Sequence, residues 1–181
     1  MINQLLIHTC CADCLLNLIN MLEEESQIDS NTELILLFYN PNIHPRSEYL
    51  ERLNALKKIV EQGDIKQSTK IIIPEYKPKE YFEEITNYPK RCIGCWSLRI
   101  AHLFNYAKEK NINYVSSTLL SSHYQDTDTI IEIAKKLENS DVKVIYPQKA
   151  HEHIKTGGFY KQNFCGCSFS LTERMSEKYK K

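Results

Sequence analysis

The chain has 181 residues with 23 basic and 23 acidic side chains, so its formal net charge is zero, and 42% of its residues are apolar. That length permits one compact domain over residues 1–181 with a sizeable core, and the balance of apolar to charged residues excludes a disordered chain. Zero net charge excludes a global field that would hold the protein on nucleic acid or a membrane surface, leaving only local patches, and no apolar run approaches the ~18 residues of a membrane span.

The first residues, Met1 to His8, have neither the basic region nor the apolar length of a secretory signal. The expected compartment is the reducing cytoplasm, where disulfide frameworks are unusual and clustered cysteines point to metal or redox work. Residues 4–8 read as a short buried strand, and 12–25 carry Leu15, Leu18, Ile19 and Leu22 at helical spacing. Residues 33–39 form a nearly continuous apolar run, as in a strand covered on both faces. The loop Asn40-Pro-Asn-Ile-His-Pro45 ends it, since proline lacks a backbone donor. A helix is predicted over about 46–62, with Tyr49, Leu50, Leu53, Leu56 and Val60 inward and Gly63 at its C-terminal cap.

Residues 69–73 make a third strand, stopped by Pro74, and a short helix near 78–86 leads to Tyr88-Pro-Lys-Arg91. Residues 95–110 read as a helix with Leu98, Ala101, Leu103 and Tyr106 facing the core, 113–117 as a fourth strand, and 118–125 as a polar connection. A helix over about 124–138, a fifth strand at 142–146, an irregular stretch at 150–164 and a closing helix complete the chain. Strand and helix alternate without hairpin dipeptides. The pattern predicts an α/β, Rossmann-like three-layer sandwich, with a mostly parallel sheet of about five strands and helices on both faces. In such sheets ligands bind beyond the carboxyl ends of the strands, so segments 9–14, 39–46 and 117–126 belong on one rim.

All seven cysteines fall in three compact groups: Cys10, Cys11 and Cys14; Cys92 and Cys95; Cys165 and Cys167. Sulfur ligands must converge on one point, so close spacing within each group serves a metal or a thiol redox centre. Adjacent Cys10 and Cys11 point apart in a strand or a helix and can serve one centre only where the backbone turns between those states. A strand-to-helix junction is such a place, and the N–H groups opening a helix favour thiolate. The C-x-x-C spacing of Cys92 and Cys95 is common to zinc sites, iron–sulfur sites and thiol redox motifs. There Gly94 permits a tight turn that aims its N–H at sulfur, and Lys90 and Arg91 offset thiolate charge. A Cys165–Cys167 disulfide would close a small strained ring of the reducible kind, through a turn that Gly166 permits.

Among the histidines, His8 reads as a hydrogen-bonded core residue. His44 and His123 lie on the rim, within reach of a substrate, and His151 and His153 sit in solvent. Tyr39, Tyr124, Tyr160 and Trp96 either stack on a base or pack. No glycine-rich dinucleotide fingerprint or P-loop is present, so a tightly held nucleotide is not indicated.

Assembled, these segments resemble the epoxyqueuosine reductase QueH family. The stretches that carry the resemblance are His8-Thr-Cys-Cys-Ala-Asp-Cys14, Tyr39-Asn-Pro-Asn-Ile-His-Pro45 with Glu48-Tyr49, Arg91-Cys-Ile-Gly-Cys95 with Arg99, Thr118 to Gln125, and Tyr160-Lys-Gln-Asn-Phe-Cys-Gly-Cys-Ser-Phe-Ser170. They occur in the family's order and span nearly the whole chain. Asp13 departs from the family's usual proline and puts a charge, or an oxygen ligand, beside the first cysteines. Gly157-Gly158, on the approach to Tyr160, is a second departure.

The resemblance implies an oxidoreductase that completes queuosine synthesis in tRNA by reducing the epoxide of epoxyqueuosine. It implies a [4Fe–4S] cluster held by Cys10, Cys11, Cys92 and Cys95, a redox-active pair in Cys165 and Cys167, and an external electron donor. Cys14 is then free for a second metal, iron or another divalent ion. Tyr39, His44, His123, Tyr124 and Tyr160 are the substrate-binding candidates, and Lys90, Arg91, Arg99, Lys161 and the C-terminal Arg174, Lys178, Lys180 and Lys181 are the basic candidates for tRNA. Two rivals use the same residues: a tRNA-thiolating or thiol–disulfide enzyme, and a zinc-stabilised RNA-binding module with Cys11, Cys14, Cys92 and Cys95 as ligands.

Overall fold

A computed structural model describes residues 2–149 and 151–178. Lys180 and Lys181 lie outside the described residues, as does the side chain of Lys178. The strands are β1 (Gln4–His8), β2 (Glu33–Leu37), β3 (Thr69–Ile72), β4 (Tyr114–Ser117) and β5 (Lys143–Val144), joined by helices α1 (Ala12–Glu24), α2 (Arg46–Glu61), α3 (Pro78–Ile85), α4 (Arg91–Lys110), α5 (Thr127–Leu137) and α6 (Ser168–Lys178). The five strands form one all-parallel sheet in the order β3-β2-β1-β4-β5. This is the predicted α/β, Rossmann-like three-layer arrangement.

Alternation along the central strands explains the layers. Leu5 and Ile7 of β1, with Leu34 and Leu36 of β2, pack against Leu15, Leu18 and Leu22 of α1 and Leu53 and Leu56 of α2. Leu6, Ile35 and Leu37 point the other way, against Ile100, Leu103 and Phe104 of α4 and Ile130 and Ala134 of α5. Successive side chains of a strand lie on opposite faces, so a near-continuous apolar run is what a doubly covered strand needs.

Four elements differ from the sequence reading. Helix α4 begins at Arg91, not at 95, so Cys92 and Cys95 occupy its first turn rather than a loop. Gly94 is helical there, and its role is close approach: a Cβ would stand 2.8 Å from Tyr88 Cδ2 and 3.0 Å from Ile85 Cα. The connection after β4 opens with a short 3-10 helix at Thr118–Ser121. Strand β5 keeps only two residues, because only Lys143 and Val144 pair with β4 before Pro147. Leu50 is 42% exposed and lies outside the buried face of α2 that Leu53 and Leu56 help form.

The chain lays β1, β2 and β3 outward on one side of the sheet, then crosses to β4 on the other. The carboxyl ends of β1 and β4 therefore flank the point where strand order reverses, the place where ligands bind in open α/β sheets. Among the described residues, no helix is long and apolar enough to cross a membrane.

Candidate active site

Cys10 stands at that reversal point. Its backbone N–H donates to Thr118 Oγ1 at 3.0 Å, and the Thr118 hydroxyl lies 3.2 Å from Cys10 Sγ, tying the end of β1 to the end of β4. Cys11 is the N-cap of α1, and its sulfur accepts from the N–H of Cys14 at 3.4 Å. The strand-to-helix turn thus gathers the sulfurs of Cys10, Cys11 and Cys14 within 4.8 Å of one another, all buried. Hydrogen bonds from Cys11 and Cys14 hold the Cys10 thiol well below its ordinary range, and the same contacts push Cys11 and Cys14 up. The group carries one negative charge readily and resists a second, as crowded thiols must.

The second and third groups meet at the opening of α4. Cys95 and Cys167 are buried in one cluster with Tyr81 and Ile85 of α3, flanked by Leu98 and Cys165. Cys92 is exposed at the rim. Burial pushes the Cys95 thiol up to about 11. The sulfurs of Cys165 and Cys167 are 3.6 Å apart as free thiols. The hydrogen bond from Cys167, with help from Ser170, holds Cys165 well below the usual thiol range, while Cys167 is pushed up.

Two buried guanidiniums bind these groups to the fold. Arg99 of α4 is 3% exposed; its Nε donates to the Cys95 carbonyl and its Nη2 to Cys95 Sγ, each at 3.2 Å. Its charge is felt by Cys10 and Cys165 as well, so it faces both sulfur clusters. Arg99 is therefore no tRNA-facing surface cation, as the sequence reading had it; the i,i+4 spacing from Cys95 turns it inward. Arg52 of α2 pairs with Glu48 at 2.7 Å and reaches the segment carrying Cys165. Nothing in the sequence pattern marked Arg52, a cation in mid-helix.

The rim histidines and tyrosines separate by environment. His8 is fully buried between Ser117 Oγ and the Tyr39 carbonyl, and burial drives it down to about 3, so it is a neutral core residue as expected. Tyr39 is buried, donates to Glu80 at 2.6 Å and stacks on His102 at 3.6 Å, so its ring is already engaged. His44 stacks on Phe82 and contacts the Tyr76 hydroxyl through Nδ1, while its buried Nε2 has no partner among the described residues. Its loop touches both outer cysteine groups: Asn40 Nδ2 donates to the carbonyl of Thr9, and the His44 N–H donates to that of Gly166. Tyr160 is on the surface and donates to Glu48. Trp96 is packed, its Nε1 donating to Gln125 at 2.7 Å.

His123 and Tyr124 are exposed side by side, with ring centroids 4.1 Å apart. His123 lines a cavity of about 510 Å³ with Ser121, Ser122 and His153. Ser121 donates to the Cys14 carbonyl at 2.6 Å, so this cavity adjoins the first cysteine group. His151 is not solvated as the sequence reading had it. It bridges Glu24 and Glu25 at 2.7 Å each, where the segment after β5 crosses the end of α1. That segment continues along α1, and the Asp13 carboxylate is taken by Lys161 and Thr156 rather than standing free beside sulfur.

A family model described as Epoxyqueuosine reductase QueH matches residues 5–173. The chain belongs to the epoxyqueuosine reductase QueH family. Among its relatives, Epoxyqueuosine reductase QueH of Thermotoga maritima is 31% identical over 93% of this chain and 91% of its own length. The protein of that name from Dehalococcoides mccartyi is 30% identical over 96% of both chains. A relative from Histophilus somni is 28% identical over 94% of this chain and 73% of its own. QueH proteins are oxidoreductases by name, and this one has Cys10, Cys11 and Cys14 at the sheet edge where its fold class binds ligands.

Proposed function

We propose that this QueH chain, as a single catalytic domain, reduces the epoxide of epoxyqueuosine in tRNA to the alkene of queuosine, releasing the oxygen as water. The observation that carries the reading is the buried trio Cys10, Cys11 and Cys14 at the sheet edge, with the other cysteines in a separate cluster at the opening of α4, in a chain whose relatives bear that enzyme's name. The reaction breaks two C–O bonds, forms one C=C bond and consumes two electrons and two protons. Cys165 and Cys167 match that count. Oxidation of the two thiols to a disulfide releases two electrons and two protons, and an external donor restores the dithiol. Cys165, the less buried of the two, would be the nucleophilic member and Cys167 the one that keeps its proton.

The donor set suits a metal–sulfur group. Buried thiols open two helices, whose N-termini favour anions. Arg99 is a buried cation with no carboxylate in salt-bridge range among the described residues. Such a charge needs an anionic partner, and metal-bound thiolate is one. Cys10, Cys11, Cys92 and Cys95 would hold the [4Fe–4S] cluster, which when bound supplies single electrons. Cys14, in the tight trio with Cys10 and Cys11, would be left to a second metal, iron or another divalent ion.

The anticodon loop is already single-stranded, so a base can leave it at modest cost and enter beside His44, His123, Tyr124 and Tyr160. Exposed Lys90, Arg91, Lys161 and Arg174 would meet phosphates. With tRNA as substrate the place of action is the cytoplasm. The test is anaerobic incubation with epoxyqueuosine-containing tRNA and a reductant, followed by nucleoside mass analysis. Queuosine is the expected product; an unchanged epoxide in iron-replete protein overturns the reading. A colourless, zinc-loaded protein would favour the RNA-binding module instead.

A further inference from the structure

The segment that carries Cys165 and Cys167 has no regular structure before α6, yet its backbone is held at both carbonyls ahead of Gly166 by one buried side chain. Arg52 is 1% exposed. Its Nη2 donates to the Phe164 carbonyl at 3.2 Å and its Nη1 to the Cys165 carbonyl at 3.3 Å. The guanidinium also lies 5.3 Å from the centroid of the Phe164 ring. Nε is spent on Glu48 at 2.7 Å, and the other oxygen of Glu48 accepts from the Tyr160 hydroxyl. The chain of contacts therefore runs from an exposed tyrosine, through a buried ion pair, to the two peptide units that flank Cys165.

Gly166 supplies the complementary half of the fit. Its φ of +113° is one that L side chains rarely adopt, and a Cβ there would stand 3.1 Å from both Nη atoms of Arg52 and from Ile43 Cγ1. The glycine lets the guanidinium lie against the turn between the two cysteines. Only a planar fork with separate donors can grip two successive carbonyls and a carboxylate at once; a lysine ammonium offers one point of charge.

We propose that Arg52 is a positioning residue for the thiol pair: supported by Glu48 and Tyr160, it holds Cys165 and Cys167 at closing distance. The inference rests on the reading of that pair as redox-active. Closure oxidises two thiols to one disulfide, and the two electrons and two protons pass to oxidised glutathione, which leaves as two molecules of the thiol.

The test uses the full chain, purified anaerobically, exposed to excess oxidised glutathione and quenched by alkylation. Trypsin releases residues 162–174 as one peptide, and mass analysis separates the closed disulfide from the doubly alkylated form. Arg52→Lys keeps the charge and the ion pair with Glu48 but loses the fork, so closure is expected to slow roughly tenfold or more at unchanged tRNA affinity. Tyr160→Phe removes one surface hydroxyl, leaves the fold intact and is expected to slow closure about two- to threefold. The proposal is overturned if folded Arg52→Lys closes within about twofold of the wild type, or, should that variant not fold, if Tyr160→Phe closes at the wild-type rate. A wild-type chain that reduces epoxide yet never closes the disulfide overturns the redox pair and this inference together. A chain that closes the disulfide but leaves epoxide untouched overturns the proposed reaction alone, and the comparison of variants still decides the role of Arg52.

Discussion

Replacing Arg99 by glutamine should lower the reduction potential of the proposed metal–sulfur group. Arg99 Nη2 is 3.2 Å from Cys95 Sγ, inside the fold and away from water. An added electron interacts with a full positive charge in the wild type and with a neutral amide in the variant. At an effective dielectric of ~20 that separation corresponds to about 5 kcal/mol per unit charge. The added electron is spread over a cluster rather than sitting on one sulfur, so about 1–3 kcal/mol is the expected difference. For a one-electron couple this is a fall of roughly 40–130 mV. The sign follows from charge: removing a cation disfavours the more negative, reduced state. The assay is a spectroelectrochemical titration of reconstituted protein with iron and sulfide counted alongside. Arg99→Lys should recover most of the potential. A potential within about 20 mV of wild type in iron-replete Arg99→Gln would refute the placement of Arg99 beside the cluster's ligands.

Cys165→Ser should retain the brown absorbance of an iron–sulfur protein and lose turnover by about a hundredfold or more; full activity would remove the thiol pair from the reaction. Gly94→Ala sets two effects against each other. Helix propensity gains about 1 kcal/mol, but the new Cβ meets the Ile85 backbone at 3.0 Å, which cannot swing away. Overpacking of that kind costs about 1–3 kcal/mol, so thermal unfolding should shift down by a few degrees, and an upward shift would show the close approach of α3 and α4 to be compliant. His151 is raised above its ordinary 6.5 by Glu25 and Glu24. Its contribution to stability is therefore complete below about pH 6.5 and fades as pH rises through the raised value. Unfolding curves of wild type and His151→Gln should converge on the alkaline side, and a constant gap across that range would contradict the ion pairs.

The sheet was legible because its strands are apolar runs punctuated by Asn-Pro, Pro74 and Pro147, and because helix periodicity in 12–25 and 46–61 is unambiguous. The rim followed from topology alone: parallel strands put every segment after a strand on one edge. The start of α4 was not legible, because Tyr88-Pro-Lys-Arg reads as a loop and Cys-Ile-Gly-Cys looks like a turn. The cause is tertiary, since Gly94 packs on Ile85 and Tyr88 and the helix extends back to Arg91 to make that contact. Direction was likewise invisible for charged residues. Arg99 and Arg91 look alike in sequence, yet Arg91 lies over Phe169 on the surface and Arg99 is enclosed. Spacing held the clue: Arg99 is four residues after Cys95 and so shares its face. Arg52 and Glu48 had the same i,i+4 relation on a helix whose other charges are exposed, and nothing local distinguishes a buried pair from a solvated one.

The burial of Arg99 makes a further demand that separates metal-free from metal-loaded protein. Its nearest sulfur, Cys95, is pushed up to about 11 by burial and is a neutral thiol at pH 7 without metal. A buried guanidinium whose contact sulfur is neutral, with the anionic thiols of Cys10 and Cys165 beyond hydrogen-bond reach, is only partly compensated, whereas beside a metal-bound thiolate it is compensated in full. Arg99→Leu should then act in opposite directions. In metal-free protein it should raise stability by about 1–3 kcal/mol, as buried charges replaced by apolar groups often do. In the loaded protein it should lower stability, because an anionic group loses its cation. Denaturant unfolding of both forms, with metal removed by chelation under reducing conditions, reads the two signs directly. If leucine destabilises both forms alike, Arg99 is held by packing and backbone hydrogen bonds alone, and its charge is no evidence for anionic sulfur at this edge of the sheet.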